Sequence, residues 1–248
     1  MLETLDLGAL RPQLHRTPWN EFPDVAVHTG VAGVKSHPLY SAAKEGDARA
    51  AEGVVVDSIA DVALERVKTL IGNRRPCLLA VHAVELEGMN AIPRVLARAI
   101  AIALSLPIGS GVIQVNRVAH TGASGYHRLA FPAIFAGEVE PIEYVLVDDF
   151  VGQGGTLANL KGFVEHLGGR VIGATALTAK SYSAILRLTD DTLAQLRAKH
   201  GTELEEWWTA TFGYGFERLT ESEARYLTRG DNAHIITERI ASARRAGD

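Results

Sequence analysis

The sequence predicts an α/β protein in which a parallel sheet is flanked by helices. Residues 77–84 and 111–115 are apolar runs typical of buried strands, and an amphipathic helix is predicted between them at 92–106. Two strands joined through a helix form a right-handed unit in which the strands are parallel. A strand–turn–helix segment follows at 144–167, and a β-branched strand is predicted at 171–177. These elements place a parallel sheet at the centre of the chain.

The N-terminal part of the chain is irregular. Residues 1–38 contain four prolines and little periodicity, so no long helix is predicted there. A short strand is predicted at 25–27. We expect residues 1–38 to form an N-terminal extension wrapped on a core domain that spans residues 39–180.

The core domain opens with helices. A helical pattern begins at Leu39, and a second helix is predicted at 59–70. Asp57 or Ser58 is the expected N-cap of the second helix, and Gly72 marks its end.

A long segment, residues 117–139, lies between two predicted sheet strands. It contains Tyr126, His127 and Arg128. Segments of this length inside a compact domain are usually lids or mobile functional loops.

Residues 181–248 are predicted to form a separate α-rich cap. A helix is expected at 189–200 and another at 235–245, and two sequences fit a capping box, Thr202-x-x-Glu205 and Thr220-x-x-Glu223. The cap also contains an aromatic cluster that could stack on a ligand, although the core of a small subdomain is the better interpretation. Its members are Trp207, Trp208, Phe212, Tyr214 and Phe216.

The stretch from Tyr144 to Thr156 carries the chemistry. An apolar run ends at Asp148 and Asp149, and a glycine-rich turn follows it and leads directly into a helix. Glycines let backbone N–H groups surround an anion, and the helix N-terminus adds favourable partial charge. Paired carboxylates can accept hydrogen bonds from a vicinal diol or hold Mg²⁺ through water. The combination suggests a sugar phosphate, whereas the spacing fits neither a P-loop nor a dinucleotide-binding turn.

This stretch resembles the phosphoribosyl-diphosphate motif of the type I phosphoribosyltransferases. That motif has four apolar residues, two acidic residues and a short loop ending in Thr-Gly-x-Thr, and residues 144–156 match it with Gln153 in place of a threonine. The amide of Gln153 can still donate a hydrogen bond to phosphate. The resemblance is sharp over 144–156 and topological over about 75–180.

The resemblance implies a role for several groups of residues. Asp148 and Asp149 would bind the ribose hydroxyls, stabilise the positive charge that develops on the ribose ring, and hold Mg²⁺, through water where needed. The remaining substrate-binding residues implied by position are the phosphate turn (Gly152, Gln153, Gly154, Gly155 and Thr156), the pyrophosphate loop at 82–90 (Gly88 and Asn90) and the closing loop (Tyr126, His127 and Arg128).

Composition bounds the partners and the compartment. The 248 residues are 47% hydrophobic and carry a net charge of −4. This charge does not indicate binding to nucleic acids or membranes, which usually requires an excess of positive charge. Cys77 is the one cysteine, consistent with a reducing cytoplasm. No signal peptide and no apolar stretch of transmembrane length is predicted, and no zinc site is expected because the histidines lack ligand spacing.

The resemblance therefore predicts a cytoplasmic phosphoribosyltransferase, a pentosyl-transferring glycosyltransferase of nucleotide salvage or synthesis. Its partners would be Mg²⁺, phosphoribosyl diphosphate and a nucleobase-like acceptor, and a homodimer is compatible with it. Two alternatives stay open. The first is a non-catalytic regulator of the same fold that senses phosphoribosyl diphosphate or a nucleotide. The second is an interaction module on an unrelated sheet, which would leave Asp148 and Asp149 unexplained.

Overall fold

The computed structural model describes residues 14–82, 84–85, 88–116 and 125–247. The strands are β1 (Ala26–Gly30), β2 (Cys77–Ala80), β3 (Val84–Glu85), β4 (Gly88–Met89), β5 (Ile108–Gly109), β6 (Val112–Gln114), β7 (Phe135–Gly137), β8 (Glu143–Val151) and β9 (Arg170–Ala179). The helices are α1 (Val31–Lys35), α2 (Tyr40–Lys44), α3 (Ala48–Ser58), α4 (Asp61–Ile71), α5 (Ile92–Leu104), α6 (Gly125–Ala130), α7 (Gly155–His166), α8 (Asp190–Phe212), α9 (Glu221–Arg229) and α10 (Ala233–Gly247).

A five-stranded parallel sheet forms the centre of the molecule, in the order β1-β9-β8-β2-β5. The predicted fold class, a parallel sheet flanked by helices, is confirmed. Strand β8 lies in the middle of the sheet, where Val145 and Val147 are fully buried. Burial on both faces accounts for the continuous apolar run that precedes the two carboxylates. The strand predicted at 25–27 is present as β1, at one edge of this sheet.

Helices cover both faces of the sheet. Helices α3, α4 and α5 supply one buried apolar layer, which includes Val54 and Leu96, and helix α7 supplies the other, which includes Leu160. A third apolar cluster joins α8, α9 and α10 to α6. Among the described residues, no helix has the length and apolar character needed to cross a membrane.

The strand predicted at 111–115 pairs differently from the expectation. The parallel neighbour of β2 is β5, whereas β6 turns away from the main sheet and pairs antiparallel with β7. The chain turns at Gly111, which lies so close to Gly137 that a side chain on Gly137 would overlap the carbonyl oxygen of Gly111. The expected strand–helix–strand unit exists, but its second strand is two residues long and ends at Gly109.

Two predictions about helix caps are wrong and one is confirmed. Asp57 and Ser58 lie in the last turn of α3, and α4 begins after Ala60. Glu205 lies inside α8, where its carboxylate accepts hydrogen bonds from Arg197 and from the backbone N–H of Phe216 instead of capping a helix. The capping box at Thr220 and Glu223 is present at the start of α9.

The helix predicted at 189–200 continues to Phe212 through a kink at Gly201, whose φ is 65°. The aromatic cluster of the C-terminal cap forms the core of a small subdomain, which was the favoured interpretation of its sequence. Trp208 and Phe216 are fully buried and pack against α6 through Leu129.

Candidate functional site

A cavity of about 450 Å³ lies at the carboxyl end of β8. Ligands of open α/β sheets bind at this end of the strands. Its walls come from the N-terminal segment with α1 and α2, the end of β8 with the glycine-rich turn and α7, the α6–β7 region, and the C-terminal cap. Val81, Asn90 and Gln114 complete the lining. Both Asp148 and Asp149 line the cavity, together with Gly152, Gln153, Gly155 and Thr156 of the turn.

Asp148 and Asp149 are both buried at the end of β8. Oδ1 of Asp148 accepts a hydrogen bond of 2.8 Å from the backbone N–H of Asp149. Burial, and after it the negative charge of Asp149, raises the pKa of Asp148 well above its ordinary value. Lys44 opposes this effect, because its Nζ lies 3.2 Å from Oδ2 of Asp149. Two adjacent buried carboxylates beside an ammonium group can accept hydrogen bonds from a diol or bind a cation.

The glycine-rich turn is held from the side of the C-terminal cap. The hydroxyl groups of Ser183 and Thr220 donate hydrogen bonds to the carbonyl oxygens of Gly152 and Gln153. Gly154 has a φ of 81°, and a Cβ there would overlap the side chain of Leu186. This position therefore requires glycine both for its conformation and for its packing.

The turn leads directly into the N-terminus of α7. The first intrahelical hydrogen bond runs from the N–H of Ala158 to the carbonyl of Gly154, so the N–H groups of Gly155 and Thr156 have no helical acceptor. Oε1 of Gln153 is buried and has no hydrogen-bond partner among the described residues. N–H groups without a helical acceptor, next to the hydroxyl of Thr156, suit an oxyanion. The Oε1 of Gln153 can only accept a hydrogen bond, so it would face a hydroxyl or N–H group of a ligand.

A buried arginine closes the cavity beside this turn. Arg16 forms a bidentate ion pair with Glu223 of α9, at 2.6 and 2.8 Å, and its Nε donates to Oδ1 of Asn159 on α7 at 2.7 Å. Its guanidinium also lies over the ring of Tyr214, 4.8 Å from the centroid. All four side chains line the cavity. The N-terminal segment, helix α7 and the C-terminal cap therefore meet at one end of the cavity.

Some of the remaining predicted site residues line the cavity and others do not. Arg128 and Asn90 line the cavity. Arg128 Nη1 lies 3.2 Å from the position that a Cβ on Gly152 would take, so a guanidinium faces the turn. Gly88 lies in the short β3–β4 hairpin, where it pairs with Glu85, close to Asn90 in the chain. Residues 83, 86 and 87 of the expected pyrophosphate loop are outside the described residues, as are 117–124 of the expected closing loop.

Tyr126 and His127 are not among the residues that line the cavity, so the structure does not bring them together with the carboxylate pair. Tyr126 is buried and packs edge-on against Tyr226, with a centroid separation of 5.0 Å. The ring of His127 lies 4.7 Å from that of Phe131. The physical reason is that α6 packs on the C-terminal helices, and Gly125 and Gly230 leave the space that the rings of Tyr226 and Tyr126 fill. Of the three residues, α6 places Arg128 at the cavity.

Sequence reasoning missed several cavity residues from outside the sheet. Lys35 and Lys44 come from α1 and α2, and the ammonium of Lys35 lies 5.3 Å from the ring centroid of Phe150. Arg16 comes from the segment that was predicted to be an irregular extension. None of these residues belongs to a motif with a recognisable spacing.

The carboxylate pair is a chemically suitable site for Mg²⁺. Magnesium ions in proteins are usually bound by one or two carboxylates together with water and substrate phosphates. Among the described residues, no group of three or more His, Cys, Asp and Glu side chains could hold a metal alone. Asp148 and Asp149 would therefore hold the ion jointly with the oxygens of a ligand.

Comparison with known proteins gives two relatives in sequence. The chain is 41% identical to protein TraN of Escherichia coli over 230 residues, which are 92% of this chain and 51% of TraN. It is 37% identical over 154 residues to an uncharacterized protein of Haemophilus influenzae, covering 61% of this chain and 34% of that protein. The chain thus spans about half the length of TraN and about a third of the Haemophilus protein. No protein-family model matches the chain.

Solved structures that resemble the chain include two adenine phosphoribosyltransferases. The enzyme from Leishmania donovani is 15% identical with a TM-score of 0.31, and the match covers 51% of this chain and 56% of the enzyme. The enzyme from Thermoanaerobacter pseudethanolicus is 18% identical with a TM-score of 0.32, and the match covers 55% of this chain and 73% of the enzyme. Similarity at this level carries no functional argument, so the fold class rests on the sheet order and the helices.

Proposed function

We propose that the chain binds phosphoribosyl diphosphate and transfers its phosphoribosyl group to a nitrogenous base with release of pyrophosphate. One observation carries this proposal. The buried pair of Asp148 and Asp149 and the anion-binding turn at the N-terminus of α7 open into the same cavity. A carboxylate pair followed by a glycine-rich turn along one strand–turn–helix segment supports a ligand that carries both a diol and a phosphate, such as a 5-phosphorylated ribose.

In this proposal each wall of the cavity has a task. The N–H groups of Gly155 and Thr156 hold the 5′-phosphate. Asp148 and Asp149 accept hydrogen bonds from the ribose hydroxyls and stabilise positive charge as the bond to the leaving pyrophosphate lengthens. Catalysis then comes from positioning and from fixed charge instead of covalent chemistry.

The pyrophosphate requires cationic groups, and the cavity contains candidates for that role. Arg128 faces the turn, and Lys35 and Lys44 line the cavity from the N-terminal helices. Mg²⁺ bound at Asp148 and Asp149 would add charge neutralisation for the diphosphate. Asn90, at the end of the β4 hairpin, lines the same cavity and is buried. We propose these four side chains as the surroundings of the leaving group.

A specific observation favours a second candidate, a sensor that binds phosphoribosyl diphosphate or a nucleotide without turnover. Tyr126 packs on the C-terminal helices and the ring of His127 lies against Phe131, so Arg128 is the one of these three described residues that lines the cavity. Gln153 also replaces the threonine expected in the turn. A site that keeps the groups for the ribose and its phosphate, but has fewer contacts to the leaving pyrophosphate, suits a sensor.

One experiment separates the two candidates. The protein is incubated with Mg²⁺, phosphoribosyl diphosphate and a panel of nucleobases, and pyrophosphate release is followed while calorimetry measures donor binding. Release with one base supports the transferase, and binding without release supports the sensor. Absence of donor binding would reject both.

A matched variant ties the result to the site. Asp149→Asn keeps the size of the side chain and should reduce turnover by at least about 100-fold, because the charge that faces the ribose is lost. Its unfolding temperature should stay close to that of the wild type. Unchanged turnover would show that Asp149 is not part of the diol site.

A further inference from the structure

Arg16 is a charged group at the phosphate turn that the roles proposed above do not use. It is 4% exposed and lies in the segment that crosses α7. A side chain on Gly162 of that helix would overlap the carbonyl oxygen of His15, so helix and segment are in direct contact. The position of Arg16 is therefore fixed by backbone packing as well as by its own hydrogen bonds.

One N–H group of the Arg16 guanidinium remains without a hydrogen bond among the described residues. Nε donates to Asn159, Nη1 donates to Oε2 of Glu223 and, at 3.2 Å, to the carbonyl oxygen of Arg218, and Nη2 donates to Oε1 of Glu223. A guanidinium has five N–H groups, and these contacts use four of them. The fifth belongs to Nη2 and has no hydrogen-bond acceptor among the described residues.

The same Nη2 atom lies against the turn. It is 3.4 Å from the position that a Cβ on Gly155 would take, and Oε1 of Glu223 is 2.6 Å from that position. Gly155 is the first residue of α7, whose N–H has no helical acceptor. One spare guanidinium N–H and an unpaired backbone N–H are thus close neighbours at the same end of the cavity.

The negative charge of Glu223 offsets the positive charge of Arg16 at this end of the cavity. Both of its oxygens accept from Arg16, and Oε2 also accepts from the backbone N–H of Thr220 at 2.9 Å. The carboxylate is structural, since it closes the capping box of α9. Its negative charge nevertheless lies beside the turn and offsets that of Arg16 at the place where an anion would bind.

We infer that Arg16 is a phosphate-binding residue that selects a terminal phosphomonoester of a pentose, and that Glu223 limits the affinity of this contact. The inference rests on the proposed function, because it concerns the phosphate of that same donor. The spare N–H of Nη2 donates to the phosphate beside the N–H groups of the turn. The ligand class at this end is a singly attached phosphate, as in ribose 5-phosphate.

The test uses two variants whose expected effects have opposite sign. Glu223→Gln removes the negative charge and keeps one of the two acceptor oxygens, so ribose 5-phosphate should bind about 5-fold tighter in calorimetry. Adding Arg16→Gln to Glu223→Gln avoids a buried unpaired carboxylate. The double variant should bind about 10-fold more weakly than Glu223→Gln alone.

A matched control is available in the same two parts of the chain. Arg187 and Glu21 form an exposed ion pair of 2.7 Å, and neither residue lines the cavity. The double variant Glu21→Gln with Arg187→Gln should leave the affinity for ribose 5-phosphate unchanged.

The outcomes separate the inference from the proposed function. If the wild type binds neither ribose 5-phosphate nor phosphoribosyl diphosphate, the proposed function fails. If the wild type binds both but Glu223→Gln binds ribose 5-phosphate no tighter, or the double variant matches Glu223→Gln, Arg16 is only structural and the inference is overturned. Should the double variant fail to fold, Glu223→Gln alone decides, because a purely structural glutamate predicts weaker binding after its substitution.

Discussion

The ammonium group of Lys44 lies 3.2 Å from Oδ2 of Asp149 and connects helix α2 to the carboxylate pair of the central strand. Residues 105 positions apart in the sequence thus share one wall of the cavity. Lys44 acts against the raised pKa of Asp148, so its charge extends the pH range in which Asp148 is ionised.

Lys44→Met should shift the pH dependence of donor binding upward. Without the ammonium charge the pKa of Asp148 rises further, so ionisation of Asp148 requires a higher pH. Calorimetry with phosphoribosyl diphosphate and Mg²⁺ across a pH series gives the midpoint. Lys44→Arg keeps the charge and should leave the midpoint near the wild-type position. Equal midpoints for the Met and Arg variants would show that the Lys44 charge does not govern the site.

Asp148→Asn should stabilise the protein at pH 8 while it abolishes donor binding. The folded-state pKa of Asp148 is raised above its ordinary value by burial and by Asp149, so the folded state binds this proton more readily than the unfolded state. The contribution of Asp148 to stability is therefore full at low pH and is lost as pH rises through the folded-state pKa. An amide has no proton to lose, and it can still accept the hydrogen bond from Asp149.

Urea denaturation at pH 5 and pH 8 measures this effect. The gain in the free energy of unfolding of Asp148→Asn over the wild type should be larger at pH 8. A variant that is less stable at both values would mean that the carboxylate contributes favourably to folding.

Gly162→Ala should cost more than about 2 kcal/mol in the free energy of unfolding, because the added methyl group overlaps the carbonyl oxygen of His15. Relief of this overlap separates the N-terminal segment from α7 and moves Arg16, so the affinity for ribose 5-phosphate should fall as well. Chemical denaturation and calorimetry report the two effects.

Gly33→Ala is the matched control for Gly162→Ala. Gly33 lies in α1, and a Cβ there meets nothing within 4 Å. Its stability should stay within about 1 kcal/mol of the wild type or rise, since alanine favours helix over glycine. A similar loss in both variants would indicate general sensitivity to glycine replacement.

Acid should weaken the fold through His28, which lies in β1 away from the carboxylate pair. Its Nδ1 accepts a hydrogen bond from the N–H of Ala60, and burial lowers the pKa of His28 to about 4. Between the unfolded value of 6.5 and this value, the unfolded state binds a proton that the folded state does not. Stability is therefore full above pH 6.5 and falls as pH drops toward 4, by about 3 kcal/mol from this residue.

His28→Gln provides the comparison. Glutamine does not titrate, so the free energy of unfolding of the variant should change less between pH 7 and pH 4.5 than that of the wild type. Denaturant titrations at both pH values give the difference. Parallel pH profiles would assign the acid sensitivity to other groups.

The parts of the structure that the sequence predicts well are those in which neighbours in the chain decide the outcome. The run from Tyr144 to Thr156 is strand, carboxylate pair, turn and helix in one continuous piece, and the capping box of Thr220 and Glu223 needs only three residues of spacing. In both cases the relevant hydrogen bonds and conformations are local.

The missed features depend on contacts between distant parts of the chain. Residues 111–115 have the composition of a strand, but which neighbour they pair with depends on the close approach of Gly111 and Gly137. Lys44 and Arg16 reach the cavity only after several elements have packed. The burial of Tyr126 could not be predicted, because nothing in its own segment shows that Tyr226 packs against it.

The ion pair of Arg16 with Glu223 spans 207 positions of sequence, and it lies at the end of the cavity that would hold phosphate. A contact between residues this far apart in the sequence slows folding, since the chain must lose much conformational entropy before the contact forms. During synthesis on the ribosome, the sheet can assemble while residues near 223 have not yet been made. Ligand binding should therefore appear only after residue 223 has been made, and it should be lost when a protease removes either partner of the pair.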